Sequence, residues 1–243
     1  MAAETLRLNL HFQDIQLNTL GDGRDLAVAL ATPHATPAGP TPRMPDGKPD
    51  LSGVWYPERT VDPGKPEMKT WAEAVLKEHA ENNRKDSPQS RCQPLGVLRS
   101  SMVTHAWRTV HMPTYLVMIS EMDVPGYRQI YMDGRGHPKD LFPTWTGHSI
   151  GHWEGDTLVV DTVGFNDKTW LPGGVPHTEM MHVTERLRRP DLGHLEIEFT
   201  IEDPGAFTKP WVRRRVADLA PNEDVQEAIC NENERDREHM VGK

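Results

Sequence analysis

The sequence predicts a mainly β domain, an antiparallel barrel with one helix ahead of its strands and one after them. Three observations carry that prediction. Leu195, Ile197, Phe199 and Ile201 alternate with Glu196, Glu198, Thr200 and Glu202, the pattern of a strand with one dry and one wet face. From about residue 101 onward, short strand-like runs follow one another across tight turns. No helical pattern separates those runs, as the crossovers of a parallel α/β sheet would require.

In chain order, Leu6, Leu8, Leu10 and Phe12 alternate within an N-terminal segment. A proline-rich linker follows, with Pro33, Pro37, Pro40, Pro42, Pro45 and Pro49. Residues 1–49 read as an appendage and the barrel domain as 50–243, with the N-terminal arm suited to pairing with a second copy in a homo-oligomer. Residues 66–84 read as a helix whose face is Met68, Trp71, Val75 and Leu76, ended by Asn82 and Asn83. Strands are expected at 102–111, 114–121, 127–132, 148–153, 156–163, 182–188, 194–201 and 211–219. Glu154-Gly155 makes a two-residue hairpin connection, and residues from Asn222 to about Met240 read as a polar C-terminal helix.

The formal net charge of −9 argues against nucleic acid as a partner, because phosphate binding needs a cationic face. The basic runs 186–189 and 213–215 fall in strands, where they pair with neighbouring acidic strands. No apolar run approaches the length of a membrane span, and Glu4 and Arg7 occupy the place of an export signal's apolar region. Cys92 and Cys230 stand outside any C-x-x-C arrangement and read equally as two free thiols or one long-range disulfide.

Alternation also marks charges on apolar faces. Glu185 shares a face with Val183 and Leu187, Asp161 with Val159 and Val163, and Arg214 with Val212 and Val216. If those faces point inward, the charges must pair or line a wet cavity. A structural Arg214–carboxylate pair, or a register with the opposite face inside, accounts for them as well as a ligand cavity does.

Of the 12 histidines, six fall between residues 137 and 194. His137 sits on a loop, His148 and His152 share a strand face, and His177 and His182 flank Glu179 without forming the helical H-E-x-x-H motif. His137, His148 and His177 converging at one barrel end would suit a divalent transition metal, Zn, Cu or Fe. A metal-free acid–base site and purely structural histidines are the other readings.

Residues 49–55 (PDLSGVW), 133–138 (DGRGHP) and above all 147–162 (GHSIGHWEGDTLVVDT) resemble a widespread family of uncharacterised bacterial proteins, over about residues 45–235. That resemblance implies export, hence a periplasmic or secreted setting and a Cys92–Cys230 disulfide; the chain's own start leaves a cytoplasmic setting open. Gly53-x-Trp55 at the head of a β region is similar to the opening of lipocalin-like barrels, which hold small apolar ligands.

The function expected is that of a small-molecule enzyme, a hydrolase, isomerase or hydratase, with a histidine and carboxylate site at the barrel mouth. Glu185, Asp161, Glu179 and His182 are its candidate catalytic groups. Arg214 is the candidate substrate anchor, and Trp145, Trp153 and Tyr131 (with Trp170 and Trp211) are candidate aromatic walls. A non-catalytic binder of a small apolar ligand is the alternative.

Overall fold

The alternating strands close into one barrel. In the computed structural model, which describes residues 36–100, 105–121, 126–227, 229 and 230, nine strands pair in sequence order and the last returns to the first. They are β1 (Gly53–Asp62), β2 (Trp107–Met112), β3 (Tyr115–Ser120), β4 (Tyr127–Tyr131), β5 (His148–Glu154), β6 (Thr157–Val163), β7 (His182–Arg188), β8 (His194–Glu202) and β9 (Trp211–Leu219). Among the described residues two α-helices precede β2: α1 (Thr70–Glu81) and α2 (Gly96–Ser100). A mainly β, mostly antiparallel closed barrel is thus the architecture, consistent with the lipocalin-like barrel expected.

Closure depends on β1. Its first residues pair with β2 and most of its length pairs with β9, with register shifts between Tyr56 and Arg59 and between Thr60 and Asp62. Such irregularities bend a strand and let it turn a barrel corner. Gly53 permits the approach: its φ is 146°, and a Cβ there would lie 2.4 Å from Leu219 Cδ1.

The exception to antiparallel pairing is β4 with β5, which run parallel through Ile130–Ser149 and Tyr131–Ile150. A parallel neighbour demands a crossover, because the chain must return to the end from which it started. Residues 132–147 supply it without a helix, and the crossover is tied to the end of β6 where Thr144 N–H donates to Gly164 O at 2.9 Å. This return path positions the site described below.

The inner wall carries the core. Trp55, Leu116, Ile130, Leu158, Val160, Val183, Leu195, Phe199 and Ile201 are fully enclosed. α1 covers part of this core with Ala72 and Leu76, spaced i to i+4, while Trp71 stays partly exposed and donates its indole N–H to Gly205 O at 2.9 Å. Its last turn is held by His79, which stacks on Trp170 at 3.6 Å.

Two sequence expectations change at the ends of the domain. Residues 36–49 pack with the barrel, through Thr36–Asp218, the Thr41 hydroxyl donating to Arg189 O, and the bidentate Arg43–Asp156 pair. Arg189 completes that junction by donating to Asp50 O and Leu192 O beneath the Trp55 ring. The expected C-terminal helix is absent over residues 222–227, which run without regular structure. Side-chain anchors replace helical bonds there: Tyr56 donates to Glu223, Arg108 pairs with Asp224, and Gln226 N–H donates to Glu121. Cys230 then joins Cys92 in a disulfide spanning 138 residues, the pairing implied by the family resemblance. Residues 229 and 230 are not helical either, while the N-terminal arm (residues 1–35), residue 228 and residues 231–240 of the expected C-terminal helix lie outside the described residues.

Candidate functional site

A single carboxylate on the barrel's outer wall gathers the histidines. On β6 Leu158, Val160 and Thr162 are fully enclosed and set the inner face, so Asp161 lies on the outer parity with the buried Val159, beneath the 132–147 crossover. Its Oδ1 lies 2.7 Å from His137 Nε2 and its Oδ2 lies 2.6 Å from His182 Nε2. His137 comes from the crossover and His182 opens β7, one strand over from Asp161. On its far side, His137 Nδ1 meets His148 Nδ1 at 2.8 Å. The result is a chain of groups, His148–His137–Asp161–His182, with Glu202 Oε2 a further 3.7 Å from His182 Nδ1.

A carboxylate only accepts, so both flanking imidazoles donate to it. With the His137 proton on Nε2, its Nδ1 is an acceptor and must receive the Nδ1–H of His148. The lone pair of neutral His148 is then on Nε2, which makes no hydrogen bond among the described residues. Burial pushes Asp161 up, but the hydrogen bonds from His182 and His137 reverse this, leaving the carboxyl below its ordinary range. Burial, then the neighbouring His137 and Arg135, hold His148 below the ordinary imidazole value of 6.5. At neutral pH the carboxylate is charged and the terminal imidazole is a free base.

His148 also lines a cleft of about 230 Å³ at the β4–β5 seam, together with Tyr127, Arg128, Tyr131, Thr144 and Thr146. Tyr131 stacks on His148 at 5.4 Å, and the Arg135 guanidinium, paired bidentately with Asp133, lies 4.1 Å from the Tyr131 ring centroid. Gly147 sets the ring's position at the start of β5. With φ at 67°, a Cβ there would lie 2.7 Å from the backbone oxygen of Val163.

The structure therefore brings together His137, His148, Asp161, His182 and Tyr131. It places His177 elsewhere, almost fully enclosed, with Nε2 at 2.7 Å from Thr169 Oγ1 and Nδ1 donating to Thr178 O at 3.2 Å. Among the described residues no group of three or more His, Cys, Asp or Glu side chains is arranged to hold a metal ion. Glu179 is exposed on the loop before β7. Trp145 is half-buried on the crossover, and Trp153 lies at the far end of β5, tilted against His111 at 5.8 Å.

For two of the three charges left open between inward and outward, the register with the opposite face inside holds. Asp161 is outward, because Leu158, Val160 and Thr162 outweigh Val159 and Val163 for the core. Arg214 is outward too, bonded to Glu198 at 2.6 Å, because Trp211, Ala217 and Leu219 carry Arg213 and Arg215 inside with them. Glu185 does face inward, but its partner is Arg128 on β4, in a bidentate pair with one arm at 3.0 Å. Ser149 and Thr162 accept the remaining Arg128 bonds, at 3.1 and 2.9 Å. Arg128 escaped the sequence reading, although its parity with Ile130 in Tyr127–Tyr131 is the same signal that marked Glu185.

Acid should weaken this fold in a defined window. His111, His148 and His177 are all held low, in each case first by burial. Between the ordinary value of 6.5 and their lowered folded values the unfolded chain binds more protons, so stability falls as pH drops. The melting temperature is expected to be level above about pH 7 and to decline below about pH 6.5; a flat profile from pH 7 to 5 would contradict the burial argument.

No protein-family model matches the chain, and no curated protein matches it significantly.

Proposed function

We propose that this protein is a small-molecule enzyme of the hydrolase, hydratase or isomerase type, using His148 as its general base. The carrying observation is the carboxylate–imidazole–imidazole chain that ends at His148 on the wall of the 230 Å³ cleft. His148 Nε2 takes a proton from substrate or from an attacking water. The resulting imidazolium donates through Nδ1 to His137, whose Nε2–H is held by the Asp161 carboxylate. Asp161 keeps His137 in the productive tautomer and stabilises the charge, while His182 holds the second carboxylate oxygen. Tyr131, Tyr127, Thr144 and Thr146 favour a small substrate with a flat face and polar edges.

The Cys92–Cys230 disulfide supports an oxidising compartment, periplasmic or extracellular. No helix among the described residues is long and apolar enough to cross a membrane.

The test is a panel of p-nitrophenyl esters, epoxides and β,γ-unsaturated ketones. Wild-type turnover should fall by about 10²–10⁴-fold in His148→Ala, with the melting temperature little changed. Turnover that survives this substitution would remove His148 from the chemistry, and a wild type inert on the whole panel would count against all three reaction types.

A further inference from the structure

The outer wall of the barrel changes character from one side to the other. On β7, β8 and β9 its residues form a charged ladder: Arg186 stands opposite Glu198 and Glu198 opposite Arg214, while Arg188 pairs with Glu196 at 3.1 Å. On β2, β3 and β4 the outer residues are largely apolar. Val117, at the centre of β3, lies between Val110 and Gln129 in register. On one side of it Ile119 lies between Arg108 and Tyr127, and on the other Met112 and Tyr131 flank Tyr115. Tyr127 is 52% exposed, Met112 40%, and Val110 and Ile119 38% each. A contiguous apolar face of this kind, beside a wall otherwise armed with charges, marks an interface.

We propose that two copies of this chain pair through the outer face of β2–β4. The face bears one charged side chain, Arg108, already paired with Asp224 at 2.9 Å, so it offers little to a charged partner. Chains of net charge −9 repel one another least where they meet through such an uncharged surface. A twofold axis along β3 lays β3 on its counterpart and β2 on the partner's β4. Val117 then meets the partner's Val117, and Arg108 comes over the partner's Tyr127, the most exposed ring of the face. Met112 reaches the partner's Tyr131, a favourable contact of sulfur with an aromatic edge. Symmetry repeats each of these pairs. Gln129, the polar residue that comes opposite Val110, keeps a bond of its own, since it accepts from the Tyr131 hydroxyl at 3.2 Å.

Strand spacing and rise give the face a footprint of about 14 by 20 Å. That is small beside the roughly 800 Å² per partner of a stable complex, so the dimer is weak, dissociating at about 10–100 µM. Tyr127 and Tyr131 also line the His148 cleft, which puts the partner at its rim; the pairing itself does not rest on the relay.

Sedimentation velocity of the full chain tests this. Across that concentration range the wild type should pass from one copy to two, and added salt should not dissolve the pair. Val117→Glu sets two like charges on the axis, and Ile119→Glu adds one beside it, so each should weaken pairing at least about tenfold. Both should melt like the wild type, because these side chains stand on the outer wall. Thr200→Glu, on the outer wall of β8, should pair as the wild type does. A wild type that stays single throughout would overturn the proposal. A dimer that persists in both glutamate variants, or that dissolves in salt, would place the contact elsewhere on the chain and overturn this face.

Discussion

Glu185→Leu is expected to destabilise the barrel by about 3–5 kcal/mol, while the same substitution combined with Arg128→Met recovers most of that loss. The reasoning follows from enclosure. Glu185 is 2% exposed, and Arg128 at 9% reaches only the wall of the cleft, so neither is well hydrated when its partner is lost. Ser149 and Thr162 accept from Arg128 but carry no charge, so they cannot replace the carboxylate. Two apolar side chains of similar volume abolish both the attraction and the desolvation cost, which is why the double variant should recover. Urea unfolding of the four proteins in the cycle measures the coupling directly. A single-variant loss below about 1 kcal/mol would show that water reaches the pair, and Glu185 would then return as a candidate for chemistry.

The second large effect belongs to Asp161→Asn, expected to lower turnover by about 10³–10⁴-fold while the fold persists. An aspartate accepts from both imidazoles, at 2.7 and 2.6 Å. An asparagine can accept on one side only and must donate on the other. If the amide N–H faces His137, that imidazole moves its proton to Nδ1 and donates to His148. His148 must then carry its proton on Nε2, where the base lone pair should be. The alternative flip gives the amide N–H to His182 and spares the tautomer of His137, but it removes the negative charge that holds the imidazolium. Nitrogen-15 NMR of the imidazoles distinguishes these outcomes without a substrate: wild type should show His148 protonated at Nδ1 and bare at Nε2 at pH 8. A wild-type signal with His148 protonated at Nε2 would break the relay at its first step.

Much of the barrel was legible in the chain because a strand writes its two faces into alternate residues. The 182–188 and 211–219 strands coincide with β7 and β9, the other six expected strands differ only at their ends, and β1 (Gly53–Asp62) was not among the strands expected. Alternation also marked Glu185 as an inward charge. Where it left the choice of face open, both faces held apolar residues. On β6, Val159 and Val163 compete with Leu158 and Val160, and on β9 two valines flank Arg214 while Trp211, Ala217 and Leu219 lie on the other parity. A local pattern cannot rank two apolar faces, since the choice depends on what the neighbouring strands offer.

The sequence by itself determined where eight of the nine strands lie and the polar and apolar faces of most of them, because those are written at short range by side-chain parity and turn residues. It also supplied the imidazoles and the carboxylate. Only the tertiary structure decided which of them meet. One parallel pair, β4 with β5, forces residues 132–147 back across the outer wall and sets His137 between His148 and Asp161, while His177 is held away by Thr169. Contacts between residues far apart in the chain follow from barrel closure and crossover path, and neither has a local signature.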